Sequence, residues 1–215
     1  MTPSPAALSG AQPAVKVRLQ FVDNLRVLLT MLVVAHHAAQ AYGPTGGAWP
    51  VGSEARSPLL GLLITVNSMF FMGLFFFVSG YFTPGALERK GPRAFLVDRI
   101  WRFGIPCALV LVLTSLFLGK PEFLHLWFIV DLLALNALYA LVAPRLIGAS
   151  SPGRPSVTVT GVHLALFILA IAALTAVVRA WYRVDEWVNF LWLLPIEPAH
   201  WVQYGALYGA GLWAA

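Results

Sequence analysis

The sequence predicts an all-α fold: a polytopic transmembrane helix bundle with five complete spans and the start of a sixth. Three observations carry that expectation. Hydrophobic residues make up 59% of the 215 residues and charged residues only 11%, against ~25% charged in an ordinary soluble domain. Mean hydropathy is +0.77. Uncharged runs recur at lengths that match the roughly 17–25 helical residues needed to cross a bilayer.

The first run goes from Val27 to about Tyr42 and the second from Pro58 to about Phe82. The third is Phe103 to Gly119, the fourth about Phe123 to Val142, interrupted by Asp131. The fifth is about Val157 to Val178, and a sixth begins near Trp201. These Leu-, Val- and Ala-rich runs lack the period of two that a barrel strand would show. Turn residues separate them at Gly43–Gly47, Pro84-Gly85 and Ser150–Pro155. The segment from Trp181 to Pro198, with Trp187 and Trp192, is too short to span and reads as interfacial or re-entrant. Residues 1–20 are Pro/Ala-rich and read as a disordered cytoplasmic tail, leaving 21–215 as one membrane domain.

The net charge of +5 would suggest nucleic acid in a soluble protein; here its distribution sets topology. With the N-terminus in the cytoplasm, ten of the 14 basic residues lie inside: Lys16, Arg18, Arg26, Arg89, Lys90, Arg93, Arg99, Arg102, Arg145 and Arg154. Arg56, Lys120, Arg179 and Arg183 remain outside. The first run also resembles a signal peptide ending at Ala39-Gln40-Ala41, but two histidines precede that point and further spans follow. The sixth run is still apolar at Ala215. A terminus inside hydrocarbon leaves carbonyls unsatisfied, so the expectation is a truncated chain, inactive by itself, whose partners include further C-terminal helices; the alternative is a short terminal helix docked against the others.

Ionisable groups inside spans are expensive and mark candidate sites. Arg26 and His37 are eleven residues apart, which is about 20° beyond three full helical turns and about 16 Å of rise. They share a face, the cation at the membrane edge and the imidazole near mid-depth; His36 points about 100° away. Such a pair suits an anion at a tunnel mouth and proton transfer within, or else a topological anchor and a satisfied polar contact. Arg99 and Arg102, at i and i+3, can grip phosphates bidentately or simply anchor the third span. Asp131 requires a partner or a proton, and Asn136 shares its span. His125 and Trp127 read as interface groups, as do His163 and His200. Asn67, Ser68, Ser79, Gly80 and the Gly205/Gly209 pair read as helix packing. Cys107 is the sole cysteine, and no metal-ligand spacing, phosphate loop or nucleophile elbow occurs in the sequence.

The run Leu25–His37, with a basic residue, ten positions and then histidine, resembles the first helix of the integral-membrane acyltransferase family 3. Phe75-Phe76-Phe77-Val78-Ser79-Gly80-Tyr81-Phe82, the Arg99-x-x-Arg102 element before Pro106, and Leu126-Trp127-Phe128 are similar to three further family elements in the same order. The resemblance runs from about Val17 to the end and covers roughly the N-terminal half of such a protein.

That resemblance implies a bacterial inner-membrane enzyme of the cell envelope. It moves an acetyl or succinyl group from acyl-CoA to a hydroxyl of a carbohydrate or glucan acceptor. It implies His37 and Arg26 as catalytic residues, Arg99 and Arg102 as the donor-phosphate site, acyl-CoA as co-substrate, and no permanent cofactor or metal. A proton-coupled permease using His37 and Asp131, or a non-catalytic scaffold, are the competing readings.

Overall fold

The computed structural model describes residues 20–44, 55–146, 158–184, 186–190 and 194–215. The tail up to residue 19, the 150–155 turn, most of the 43–47 turn, Trp192 and the basic residues Lys16, Arg18 and Arg154 lie outside the described residues. Among the described residues eight helices run in order: α1 (Gln20–Gln40), α2 (Pro58–Ser68), α3 (Phe71–Lys90), α4 (Pro92–Arg99), α5 (Ile105–Leu118), α6 (Trp127–Leu146), α7 (Gly161–Arg179) and α8 (Pro198–Ala214). A π-helical turn, Ile100–Gly104, joins α4 to α5, and a 3-10 turn, Leu124–Leu126, leads into α6. Strands β1 (Val188–Phe190) and β2 (Leu194–Ile196) form a short antiparallel hairpin, with Val188 opposite Ile196. The interfacial segment expected between Trp181 and Pro198 therefore contains a hairpin.

Among the described residues five stretches are long and apolar enough to cross a membrane: Gln20–Gln40, Pro58–Lys90, Pro92–Leu118, Leu124–Pro144 and Gly161–Arg179. The bundle is all-α apart from that hairpin. Three boundaries differ from the sequence reading. Helix α1 begins seven residues before Val27, at Gln20, so Arg26 lies inside the helix and His37 in its last turn. The second span breaks at Met69–Phe70 into α2 and α3. Pro84-Gly85 is no turn: Pro84 is buried within α3, which continues to Lys90. Neighbouring helices make such a proline tolerable in a membrane bundle. One turn earlier, the Thr83 hydroxyl donates to Ser79 O at 2.7 Å.

The tightest helix crossing is α3 on α8. A Cβ at Gly80 would strike the carbonyl of Tyr208, and one at Gly211 would strike that of Phe77 and come within 2.8 Å of Tyr81 N. Close approach of backbones through small residues is how helices gain van der Waals contact in lipid. Gly209, expected to serve packing with Gly205, has open space where its Cβ would be; Gly211 takes that role.

Leu29, Phe71, Met72, Phe76, Leu132, Leu135, Tyr204 and Tyr208 form the core between α1, α3, α6 and α8. A second cluster, Leu87, Phe95, Ala140 and Ala143, closes the end where α3, α4 and α6 meet. Helix α7 buries none of its residues, as suits an apolar helix facing lipid. Alternating helix directions give the bundle two unlike ends. One holds Arg26, Lys90, Arg99 and Arg102; the other holds His37, His125 and the hairpin.

Candidate active site

At the arginine end, Arg26 is half exposed, 3.9 Å from Asp23, and its guanidinium lies 4.5 Å from the centre of the Phe82 ring. Arg99 is the last residue of α4 and sits between the rings of Phe95 at 4.9 Å and Phe103 at 5.5 Å. Its Nε is buried without a hydrogen-bond partner. Arg26, Arg102, Asp98 and Tyr208 all lie within electrostatic range of Arg99. Stacked guanidiniums are weakly hydrated and keep a planar fork available to an oxyanion.

Arg102 behaves differently. It falls in the π-helical turn, is 66% exposed, and donates through Nε to Asp98 Oδ1 at 3.1 Å. The other Asp98 oxygen meets Lys90 Nζ at 2.8 Å. The expected i, i+3 face assumes α-helical pitch, which ends at Arg99. The wider turn beginning at Ile100 lets Arg102 point outward while Arg99 is packed.

The buried face of α1 repeats every seven residues as Val22, Leu29 and His36. His36 is therefore the inward histidine, 7% exposed and stacked 5.1 Å from Phe71. Its Nδ1 has no hydrogen-bond partner. His37 is half-buried. Its Nδ1 lies 2.9 Å from Gln40 Oε1, so the Gln40 side chain holds that edge of the imidazole. The His37 ring stacks on His125 with centroids 4.1 Å apart and planes 10° from parallel. The structure thus brings together two histidines from different spans.

Arg26 and His37 keep the eleven-residue separation of the sequence reading, but His37 sits one turn from the helix end instead of at mid-depth. Two neighbours of the site were not evident as such in sequence. Leu124, immediately before His125, has φ +48, a left-handed conformation that costs a non-glycine residue roughly 1–2 kcal/mol. Tyr208 joins Thr83 and Asn136 in a buried set: Thr83 Oγ1 lies 2.9 Å from Asn136 Oδ1 and 3.5 Å from the Tyr208 hydroxyl. That set links α3, α6 and α8 beneath Arg99.

Asp131 is completely buried. The partner it needs is Trp201 at the start of α8, whose indole N–H donates to Oδ2 at 3.1 Å. Of the remaining candidates, Asn67 ties α2 to α1 by donating to Leu32 O at 3.0 Å. His163 completes a capping box with Thr160 at the start of α7, and His200 lies 3.1 Å from Glu197.

A family model described as an acyltransferase domain matches residues 19–215. No curated protein and no solved structure matches the chain. The family match covers the helix with Arg26 and His37, the arginine end, the histidine end and α8. The chain belongs to acyltransferase family 3, as a membrane-embedded acyltransferase domain.

Proposed function

We propose that the protein is an O-acyltransferase that takes an acetyl or succinyl group from acyl-CoA and transfers it to a hydroxyl of a carbohydrate, with glucans the favoured acceptor class. In this reading the arginine end faces the cytoplasm of a bacterial inner membrane and the N-terminus is inside. The observation that carries the proposal is the polarity of the bundle. Guanidiniums gather at one end, and the His37 imidazole lies about 16 Å along the same helix as Arg26. An extended pantetheine arm is long enough to bridge that rise.

Coenzyme A presents a pyrophosphate and a 3′-phosphate. Arg99, with a buried and unpartnered Nε, and Arg26 across from it supply planar donors for those oxyanions. Arg102 adds charge at the rim. His37 Nε2 accepts the proton of the acceptor hydroxyl as its oxygen attacks the thioester carbonyl. The C–O bond forms and the C–S bond breaks. The proton held by His37 then passes to the departing thiolate, which leaves as the free thiol. Gln40 holds the ring by its Nδ1 edge, 2.9 Å away, and leaves the Nε2 edge for this role in the proposed mechanism.

Transfer is tested with membranes containing the protein, radiolabelled acetyl-CoA or succinyl-CoA, and a glucan. Donor-dependent label in the glucan, lost in His37→Ala, supports the proposal. Absence of acyl-CoA binding by the purified protein would refute the donor assignment.

A further inference from the structure

The histidine end contains a cleft of about 640 Å³. Among its lining residues are Phe123, Trp127 and Trp187, together with Lys120, Glu122 and Asn189. The two indoles belong to different elements, α6 and the segment entering β1, and meet edge to face with centroids 5.3 Å apart and planes at 73°. They form an aromatic corner. Lys120 and Glu122 form an ion pair, so the pair adds no net charge while offering both donors and acceptors.

The wall carrying these residues is held in place. The buried Thr114 hydroxyl bonds both the N–H of Glu122, at 2.9 Å, and its carbonyl, at 3.1 Å. Gly119 closes α5 in a left-handed conformation, φ +72, and Leu124 adopts a second left-handed turn. His125 follows the lining residue Leu124 and comes two positions before the lining residue Trp127. His125 is the ring stacked on His37.

We infer that this cleft is an acceptor subsite for a neutral hexopyranose unit. The inference deepens the carbohydrate reading above and rests on it. A pyranose presents an apolar C–H face and a rim of hydroxyls, and an aromatic corner edged by an ammonium, a carboxylate and an amide complements both. A lipid tail would place the Lys120–Glu122 ion pair and the Asn189 amide against hydrocarbon, where polar groups are costly. An anionic acceptor would meet a neutralised Lys120. His125 follows the lining residue Leu124 in the chain and stacks on His37, so a sugar on the indoles is held at the same end of the bundle as the histidine pair. The competing reading is that Trp127 and Trp187 are membrane-interface anchors.

Linear glucose oligosaccharides are the probe, read by saturation-transfer NMR on the detergent-solubilised protein and by acyl-transfer kinetics with acetyl-CoA. Trp187→Ala is expected to raise the acceptor KM roughly tenfold while kcat stays within about twofold, the pattern of lost uniform binding. Trp187→Phe should recover part of the loss. Phe117→Ala, a ring 81% exposed on α5, should change neither constant. Anchors alone would make Trp187→Ala and Phe117→Ala behave alike. If the wild type acylates the oligosaccharides and both Trp187→Ala and Asn189→Ala leave KM unchanged, the subsite assignment is wrong and the transferase reading survives. If acetyl-CoA binds but no neutral sugar is bound or acylated, the carbohydrate reading fails and the subsite with it.

Discussion

His37 in the last turn of α1 and His125 in the turn before α6 stack face to face, 4.1 Å apart and 10° from parallel. Nearly ninety residues separate them in the chain. The contact fixes the outward side of the His37 ring while Gln40 fixes its edge, so the imidazole is oriented before any substrate arrives. Removing His125 should therefore lower kcat more than it raises the donor KM. His125→Phe, which keeps a stacking ring, should recover most of the rate, and His125→Ala should not. Equal rates for the Phe and Ala variants would mean that stacking does not position His37.

The two arginines of the Arg-x-x-Arg element should prove unequal. Arg99→Lys loses a planar group held between Phe95 and Phe103 and should weaken donor binding roughly 10- to 100-fold, the scale of a lost charge-assisted hydrogen bond. Arg102→Lys keeps a cation at an exposed position beside Asp98 and should weaken it far less. Arg93→Lys, at an exposed position, should be silent. Isothermal titration with acetyl-CoA separates these cases, and equal losses at 99 and 102 would contradict the geometry.

The α3–α8 crossing gives a stability test independent of chemistry. Gly211→Ala forces its new methyl into the Phe77 carbonyl and should destabilise the bundle by about 1–3 kcal/mol. Gly209→Ala, with open space at its Cβ, should be neutral or slightly favourable, as alanine suits a helix better than glycine. Thermal unfolding in detergent reads both. A larger loss at 209 than at 211 would move the crossing.

The buried Asp131 and Trp201 test how α8 is attached. Trp201→Phe removes the indole donor and leaves a buried carboxyl oxygen unpaired, which costs about 1–3 kcal/mol. Asp131→Asn retains an acceptor oxygen for the same N–H and should cost less. A greater loss in the Asn variant would point to a role for the acid itself.

Orientation can be read directly, because Cys107 is the sole cysteine and is buried. In a Cys107→Ser background, Lys90→Cys should resist a membrane-impermeant thiol reagent added outside intact cells, and Glu186→Cys should react. The reverse pattern would overturn the sidedness assigned from the basic loops.

Much of this architecture was legible in apolar runs, because hydrocarbon leaves a chain little choice but long helices. The five spans and the shared end of Arg26 and Arg99 follow from run lengths and charge alternation. Proline misled at Pro84: its local preference for a turn lost to burial within α3. The i, i+3 rule misled at Arg102, because no sequence signal marks a π-helical turn. His125 went unrecognised as a partner of His37 since stacking between spans depends on tertiary approach, and a histidine next to Trp127 reads equally well as an interface residue. The choice between His36 and His37 was half legible: rotation separates them, but it took the heptad of Val22, Leu29 and His36 to show which one faces the core.

The central claim is that His37 is the base for acyl transfer. The most direct measurement is the acyl-transfer rate of His37→Ala, His36→Ala and wild type in membranes at saturating acetyl-CoA, paired with donor binding to each purified protein. The account predicts that His37→Ala loses ~100- to 10,000-fold in rate with donor affinity retained. His36→Ala should lose thermal stability, because it empties a buried ring site against Phe71, yet keep a measurable rate. A His37→Ala protein that still transfers acyl groups at near wild-type rate, beside a folded and inactive His36→Ala, would contradict it and move the chemistry to the buried histidine.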